Sequence, residues 1–261
     1  MEHAVDEIVG VVCDGYGYGV DGGAWGGEIL FCTRGTAGFK RLAHLEPQPL
    51  LGGDTATRYP LRIAAGMLSK TAEVEPWLLK HSEHLLHGET EAKLILQQLR
   101  KGASVKTTSC GRVLDAVAAV LGVCYERTYE GEPAIKLESA AINGKDALNM
   151  EPIIKENVLD TSQMLRGVFE NVGKASTADL AYSAHAYLAR GLATLAVEKA
   201  LEQGVKAVGF SGGAASNQML AEVMRRTVEA AGLRFLVHED VPSGDGGVSF
   251  GQAVVGGFWR F

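Results

Sequence analysis

The sequence predicts an α/β fold, and three observations carry that reading. Apolar runs of strand length alternate with longer segments of helical periodicity. Clusters of glycine fall where the strands end. And 46% of the 261 residues are hydrophobic, which suits a sizeable core and excludes wholesale disorder.

Residues 8–13, Ile-Val-Gly-Val-Val-Cys, read as a buried strand, followed at once by the glycine-rich segment from Asp14 to Gly27. Strands at 28–33 and 39–46 make this start a meander with one unusual turn. Pro47 and Pro49 break the chain before Leu51-Gly-Gly-Asp-Thr-Ala. After Pro60 the pattern is helical to about residue 100, and 110–122 is an Ala-rich helix too apolar for a surface position. Helices follow at 160–173 and 176–203, the second opened by the capping sequence Ser176-Thr-Ala-Asp179. A strand at 205–210 ends in Ser211-Gly-Gly213, a helix covers about 217–231, and a strand at 233–238 leads into Val241-Pro-Ser-Gly-Asp-Gly-Gly247 and a last helical segment. The break near 145–150 divides the chain into residues 1–148, with a helical insertion at about 60–105, and residues 149–261.

Charge and cysteines narrow the function. Lys plus Arg is 25 against 31 for Asp plus Glu, a formal charge of −6, without the basic face that a nucleic-acid partner needs. Cys13, Cys32, Cys110 and Cys124 have neither CxxC pairing nor zinc spacing. No signal-peptide pattern opens the chain, and the apolar run from Val113 to Val123 is interrupted by Asp115 and too short for a bilayer. The expected setting is the cytoplasm, with no membrane partner.

Glycine is the compositional outlier, with 33 residues against about 7% in an average chain. Four glycine-rich loops stand at 14–19, 52–54, 211–213 and 244–247, and three of them carry an aspartate: Asp14, Asp54 and Asp245. Glycine lets backbone N–H groups converge on an anion. An aspartate beside a phosphate makes sense when a cation such as Mg²⁺ lies between them. The same Asp-Gly and Gly-Gly pairs also suit plain tight turns. Taken together, the loops point to nucleotide binding. They contain no Walker A sequence, and Asp14-Gly-Tyr-Gly-Tyr-Gly has neither the glycine spacing nor the following helix of a Rossmann loop. A strand, an Asp-Gly turn and a second strand are instead similar to the phosphate hairpin of the actin-like ATPases.

Other reactive residues read as structural. His81, His84 and His87, at i, i+3 and i+6, form a solvated helix face, and His185 among Ala and Tyr is a core or interface residue. Cys110, at a helix start, is a small buried residue.

Six ordered stretches carry a closer resemblance, which covers nearly the whole chain. They are Asp14 to Glu28, Gly52-Gly-Asp-Thr-Ala, Ser109-Cys-Gly-Arg-Val-Leu-Asp115 continuing to Val123, Tyr129-Glu-Gly-Glu-Pro-Ala-Ile-Lys-Leu-Glu138, Ser211-Gly-Gly213 with Asn217, and Asp245 to Gln252. Together they resemble the carboxy-terminal carbamoyltransferase domain of the HypF family of hydrogenase maturation proteins. The resemblance implies an actin-like (ASKHA, RNase H-like) fold of two lobes, the first truncated at its N-terminus. It implies transfer of a carbamoyl group from carbamoyl-adenylate, made with ATP, to the C-terminal cysteine of a HypE-like partner. That step belongs to the synthesis of the cyanide ligands of [NiFe]-hydrogenase.

Carried onto this chain, the resemblance puts Asp14, Gly15, Gly17 and Gly19 with Gly52, Gly53 and Asp54 around the phosphates. Asp115 and Glu138 would accept hydrogen bonds from ribose hydroxyls, and Gly212, Gly213 and Asn217 would hold the adenosine. Asp245 would ligate a divalent metal, whether Mg, Fe or Zn. No catalytic residue is assigned, because an activated carbamate and a thiolate need orientation and charge neutralisation more than a general base.

The chain departs from the family in three places. The family's metal-binding His-x-x-x-His cluster has no counterpart, and His3 resembles a residue just past it. Gly244 stands where asparagine is usual. Lys136 stands where acidic or apolar residues are common. The first departure leads us to expect upstream modules or a separate N-terminal half. It also leaves open a nucleotide-binding regulatory partner without turnover, beside a kinase-like phosphotransferase of the same fold.

Overall fold

The structure, a computed structural model, describes residues 5–35, 38–102 and 104–258; His3 lies outside the described residues. In chain order the strands and helices are β1 (Glu7–Tyr18), β2 (Ala24–Thr33), β3 (Phe39–Leu45), β4 (Gln48–Leu50), α1 (Asp54–Arg58), α2 (Leu61–Met67), α3 (Val74–Lys80), α4 (Gly88–Lys101), β5 (Val105–Thr107), α5 (Cys110–Val120) and α6 (Glu132–Ala141). There follow β6 (Ile154–Lys155), β7 (Val158–Leu159), α7 (Thr161–Glu170), α8 (Thr177–Gln203), β8 (Ala207–Ser211), α9 (Gln218–Ala230), β9 (Arg234–Leu236) and α10 (Val248–Phe258).

The nine strands among the described residues join one mixed sheet, in the order β6-β7-β3-β2-β1-β8-β9, with β5 on β2 and β4 on β5. β1 and β2 form an antiparallel hairpin, and β1 pairs parallel with β8 in the register Val9↔Val208 to Val12↔Ser211. Alternation explains β1: Val9, Val11 and Cys13 are fully buried on one face. Strands from both sides of residue 148 share this sheet, so the sequence-based division at 148/149 does not coincide with a break in it.

Two helices form the centre of the core. Every residue of α5 is buried, as its Ala- and Val-rich sequence demands. The 27-residue α8 is buried along most of its length through Ala, Leu, His185 and Tyr187. Its start is capped by Ser176, whose hydroxyl accepts the Asp179 N–H at 3.1 Å. By contrast, the described side chains of α10 are exposed.

Three expectations need correction. The segment Asp14–Tyr18 is strand rather than loop, because the β1–β2 ladder runs through it with a register shift between Cys13 and Gly17. The helical stretch from 60 to 100 is broken into α2, α3, a 3₁₀ turn at Ser82–His84, and α4. His81, His84 and His87 therefore do not share one helix. Instead the His84 ring stacks on Tyr125 at 3.9 Å, and His81 Nδ1 lies 3.3 Å from the Tyr125 hydroxyl.

Candidate functional site

A cleft of about 600 Å³ opens beyond the C-terminal ends of the parallel strands β1 and β8. That is where sheets of this kind characteristically leave a crevice. Of the sequence-predicted residues, Asp14, Gly15, Asp54, Asp115, Glu138, Gly213, Asn217 and Asp245 line it.

The floor is the bulge in β1. α5 begins directly against it, with Gly111 so close that a Cβ there would stand 2.8 Å from Gly15 Cα. Ser109 fixes the junction. Its Oγ accepts the Arg112 N–H at 3.1 Å as the α5 N-cap and lies 2.7 Å from the Asp14 carbonyl and 2.9 Å from that of Gly15. The Asp14 carboxylate accepts the Gly15 N–H at 2.6 Å.

The second wall follows β8. Gly212 has φ +94°, and a Cβ on it would collide with the Cys13 carbonyl at 2.2 Å, so only glycine fits. Its N–H donates to the Ser243 carbonyl at 3.0 Å, tying the 211–213 turn to the Asp245 turn. A Cβ at Gly213 would stand 3.3 Å from Asp14 Oδ1, and one at Gly244 would stand 3.4 Å from Gly213 Cα. Asp14, Gly213 and Gly244 thus form a continuous seam. Burial raises the Asp14 pKa, its bond from Gly15 lowers it, and the charges of Asp245 and Glu130 raise it again. Two mutually repelling carboxylates on one cleft could hold a cation. Among the described residues, no group of three or more His, Cys, Asp or Glu is arranged to bind a metal.

The third wall is helical. Asp115 on α5 is 1% exposed and lies 2.7 Å from Arg112 Nη2. Neither Asp115 carboxylate oxygen nor Arg112 Nε makes a well-formed hydrogen bond. Burial pushes the Asp115 pKa up to about 6, against the opposing pull of Arg112 and Arg127. Buried polar atoms without partners at the wall of a cleft suit a polar ligand. Opposite, Glu138 on α6 accepts the Gln218 N–H at 2.8 Å, bringing α6 to the start of α9. Lys136 bridges Glu132 at 2.7 Å, one turn earlier on the same helix. Its departure from the family pattern is thus paired locally, away from the cleft lining.

Five predicted residues do not line the cleft. Gly17 packs against the Trp25 backbone, and Gly19 forms the hairpin turn by donating to the Gly23 carbonyl at 2.9 Å. Gly52, at φ +90°, leaves room for Arg62, which donates to the Leu51 carbonyl at 3.0 Å, while Gly53 precedes α1. Gly212 supports the wall from behind. Their glycines serve close backbone approach and chain reversal, and only Asp54 of the second loop reaches the lining. Sequence reading missed Arg112, Arg127 and Glu130, which also line the cleft. A single Arg in an apolar helix, three residues before Asp115, was the available signal for the first of them.

The family model described as "Carbamoyltransferase, Kae1-like Domain, second subdomain" matches residues 10–252. The chain belongs to the HypF carbamoyltransferase family. It is 40% identical over 252 residues to the probable carbamoyltransferase HypF of Methanocaldococcus jannaschii, matching 95% of this chain and 32% of that protein. It is 32% identical to the carbamoyltransferase HypF homolog of Cupriavidus necator, matching 96% of this chain and 65% of that protein. The chain therefore spans about a third of the first relative's length and just under two thirds of the second's.

Among solved structures, HypF of T. kodakarensis superposes with a TM-score of 0.89 at 44% identity, over 97% of this chain and 34% of that one. A full-length HypF in a phosphate- and nucleotide-bound form gives 0.87 at 29% identity, over 98% and 33%. These matches establish the α/β, actin-like fold of the HypF family for the chain. Among the described residues, no helix is long and apolar enough to cross a membrane.

Proposed function

We propose that the cleft holds the adenylate of a carbamoyltransferase. In this reading the chain contributes to passing a carbamoyl group from carbamoyl-adenylate to the terminal cysteine thiol of a HypE-like protein in the cytoplasm. The observation that carries it is the seam of Asp14, Gly213 and Gly244 at one end of the cleft that Asp115 and Glu138 also line. The nucleotide- and phosphate-bound HypF that matches 98% of the chain adds support.

Each residue has a task in this mechanism. Asp115 and Glu138 accept the two ribose hydroxyls, Glu138 through the oxygen that Gln218 leaves free. Gly213 and Asn217 hold the base side, with Gly212 shaping their turn. Asp14, Gly15 and Asp54 face the phosphate, with Gly17, Gly19, Gly52 and Gly53 shaping the turns behind them. Arg112 and Arg127 offset the carboxylate charge around an anionic ligand. Asp245 and Asp14 would hold the divalent cation, which when bound neutralises charge on the leaving phosphate. Two protein carboxylates with phosphate and water oxygens is a donor set that suits Mg²⁺. Further ligands would come from upstream modules or a separate N-terminal half, together with the machinery that makes the adenylate from ATP. The chain's own part is to orient the acyl carbon and shield it from water.

Calorimetry with AMP or ATP and Mg²⁺, followed by a carbamoyl-transfer assay with the upstream half supplied, tests this reading. Binding with transfer and AMP release supports it, whereas ADP release would identify a phosphotransferase. Binding without transfer in the completed enzyme would favour a regulatory nucleotide-binding partner.

A further inference from the structure

Behind the adenosine wall lies a buried histidine that the proposed mechanism does not use. His185, in the middle of α8, is completely buried. Its Nδ1 stands 2.8 Å from the Ala181 carbonyl, and its Nε2 stands 3.2 Å from Asn217 Nδ2. Asn217 lines the cleft while only 6% exposed, and its Oδ1 accepts the Leu220 N–H at 2.9 Å as the N-cap of α9.

These contacts fix one another's polarity. A carbonyl only accepts, so His185 Nδ1 carries the proton. Burial disfavours a second proton on the ring and lowers its pKa, so Nε2 presents a lone pair. That lone pair requires the amide nitrogen of Asn217, which turns Oδ1 toward the first turn of α9. The carboxamide is thus held from both ends, and one Nδ2 hydrogen remains for a ligand acceptor.

We propose that His185 is a positioning residue for nucleotide recognition: it fixes the Asn217 carboxamide so that its free N–H faces the adenosine. This rests on the nucleotide-cleft reading above. Ala181, His185 and Asn217 form a relay from the core of α8 to the cleft wall, and the precision of a binding group depends on such buried support. Without an acceptor at 185, the amide can turn over or leave a buried N–H unpaired.

The test titrates the 261-residue chain with AMP by calorimetry, as wild type, His185→Leu and His185→Gln, with circular dichroism to check the fold. Loss of the acceptor in His185→Leu should weaken AMP binding about tenfold, whereas His185→Gln, whose carbonyl can accept from Asn217, should stay within about threefold. In ¹⁵N spectra the wild-type ring should be the neutral Nδ1–H tautomer. In Asn217→Asp, which keeps a good cap but turns a carboxylate toward Nε2, the ring should become doubly protonated. Unchanged AMP affinity in a folded His185→Leu, or an Nε2–H tautomer in wild type, would overturn the role. If His185→Leu does not fold, the His185→Gln titration and the tautomer decide. A wild-type chain that binds no AMP would instead overturn the nucleotide reading itself, and this role with it.

Discussion

Arg112 and Asp115 form an ion pair at 2.7 Å within one turn of α5, at 5% and 1% side-chain exposure. The pair is incomplete, because Arg112 Nε and both Asp115 oxygens lack well-formed hydrogen bonds. A buried pair left this way costs desolvation that a ligand can offset. Asp115, pushed up to about 6 by burial, is the group on which ligand binding should depend.

Adenosine, which has no ionising phosphate, is the suitable probe. Its affinity should fall as the pH drops through about 6, since protonated Asp115 accepts hydrogen bonds less well. The dependence should vanish in Asp115→Asn, as measured by calorimetry between pH 5 and pH 8. For folding the sign is opposite: the folded pKa is raised, so this group's contribution to stability declines as pH rises from about 4 to about 6.

Glu132 behaves the other way. The Lys136 ammonium, then the Thr128 N–H and hydroxyl, hold its pKa down to about 2. Its stabilising contribution is full above the unfolded value of about 4.3 and is lost as pH falls toward about 2. Denaturant melts should show Glu132→Gln less stable than wild type at pH 7, with the difference closing near pH 2.

Two glycines of the turns behind the cleft, Gly212 and Gly244, should respond differently to a side chain. Gly212→Ala forces a side chain into the Cys13 carbonyl at positive φ and should cost about 2 kcal/mol or more. Gly244 has φ −96°, with only an ordinary contact waiting at 3.4 Å. Gly244→Asn, the residue that the family resemblance leads one to expect there, should therefore leave the melting temperature nearly unchanged.

Ser109 joins α5 to the Asp14 bulge. Ser109→Ala removes the cap of a buried helix and should cost about 1 to 2 kcal/mol. Because the same hydroxyl reaches Asp14 and Gly15, AMP affinity should fall in the variant even where calorimetry finds it fully folded.

Much of this was readable in the sequence, for identifiable reasons. β1 and α5 announce themselves through apolar runs that local periodicity captures, and Ser176 and Asn217 are capping residues where α8 and α9 begin. The Asp14–Tyr18 bulge was not readable, because glycine in a strand is set by what packs against it, here Trp25 and Gly111. The two-residue strands β7, which pairs with β3, and β6, which pairs with β7, owe their existence to those partners and carry no local signal. Burial of His185 follows from its Ala-rich neighbourhood, but its partner lies 32 residues away, a distance that no periodicity reaches. Arg127 and Glu130 join the cleft only because the connection between α5 and α6 folds back over Asp115.

The most direct test is a crystal structure of the chain with AMP. The base should lie by Gly213 and Asn217, the ribose between Asp115 and Glu138, and the phosphate against Asp14 and Gly15. AMP seated elsewhere, or a cleft that stays empty at saturating AMP, would contradict the account.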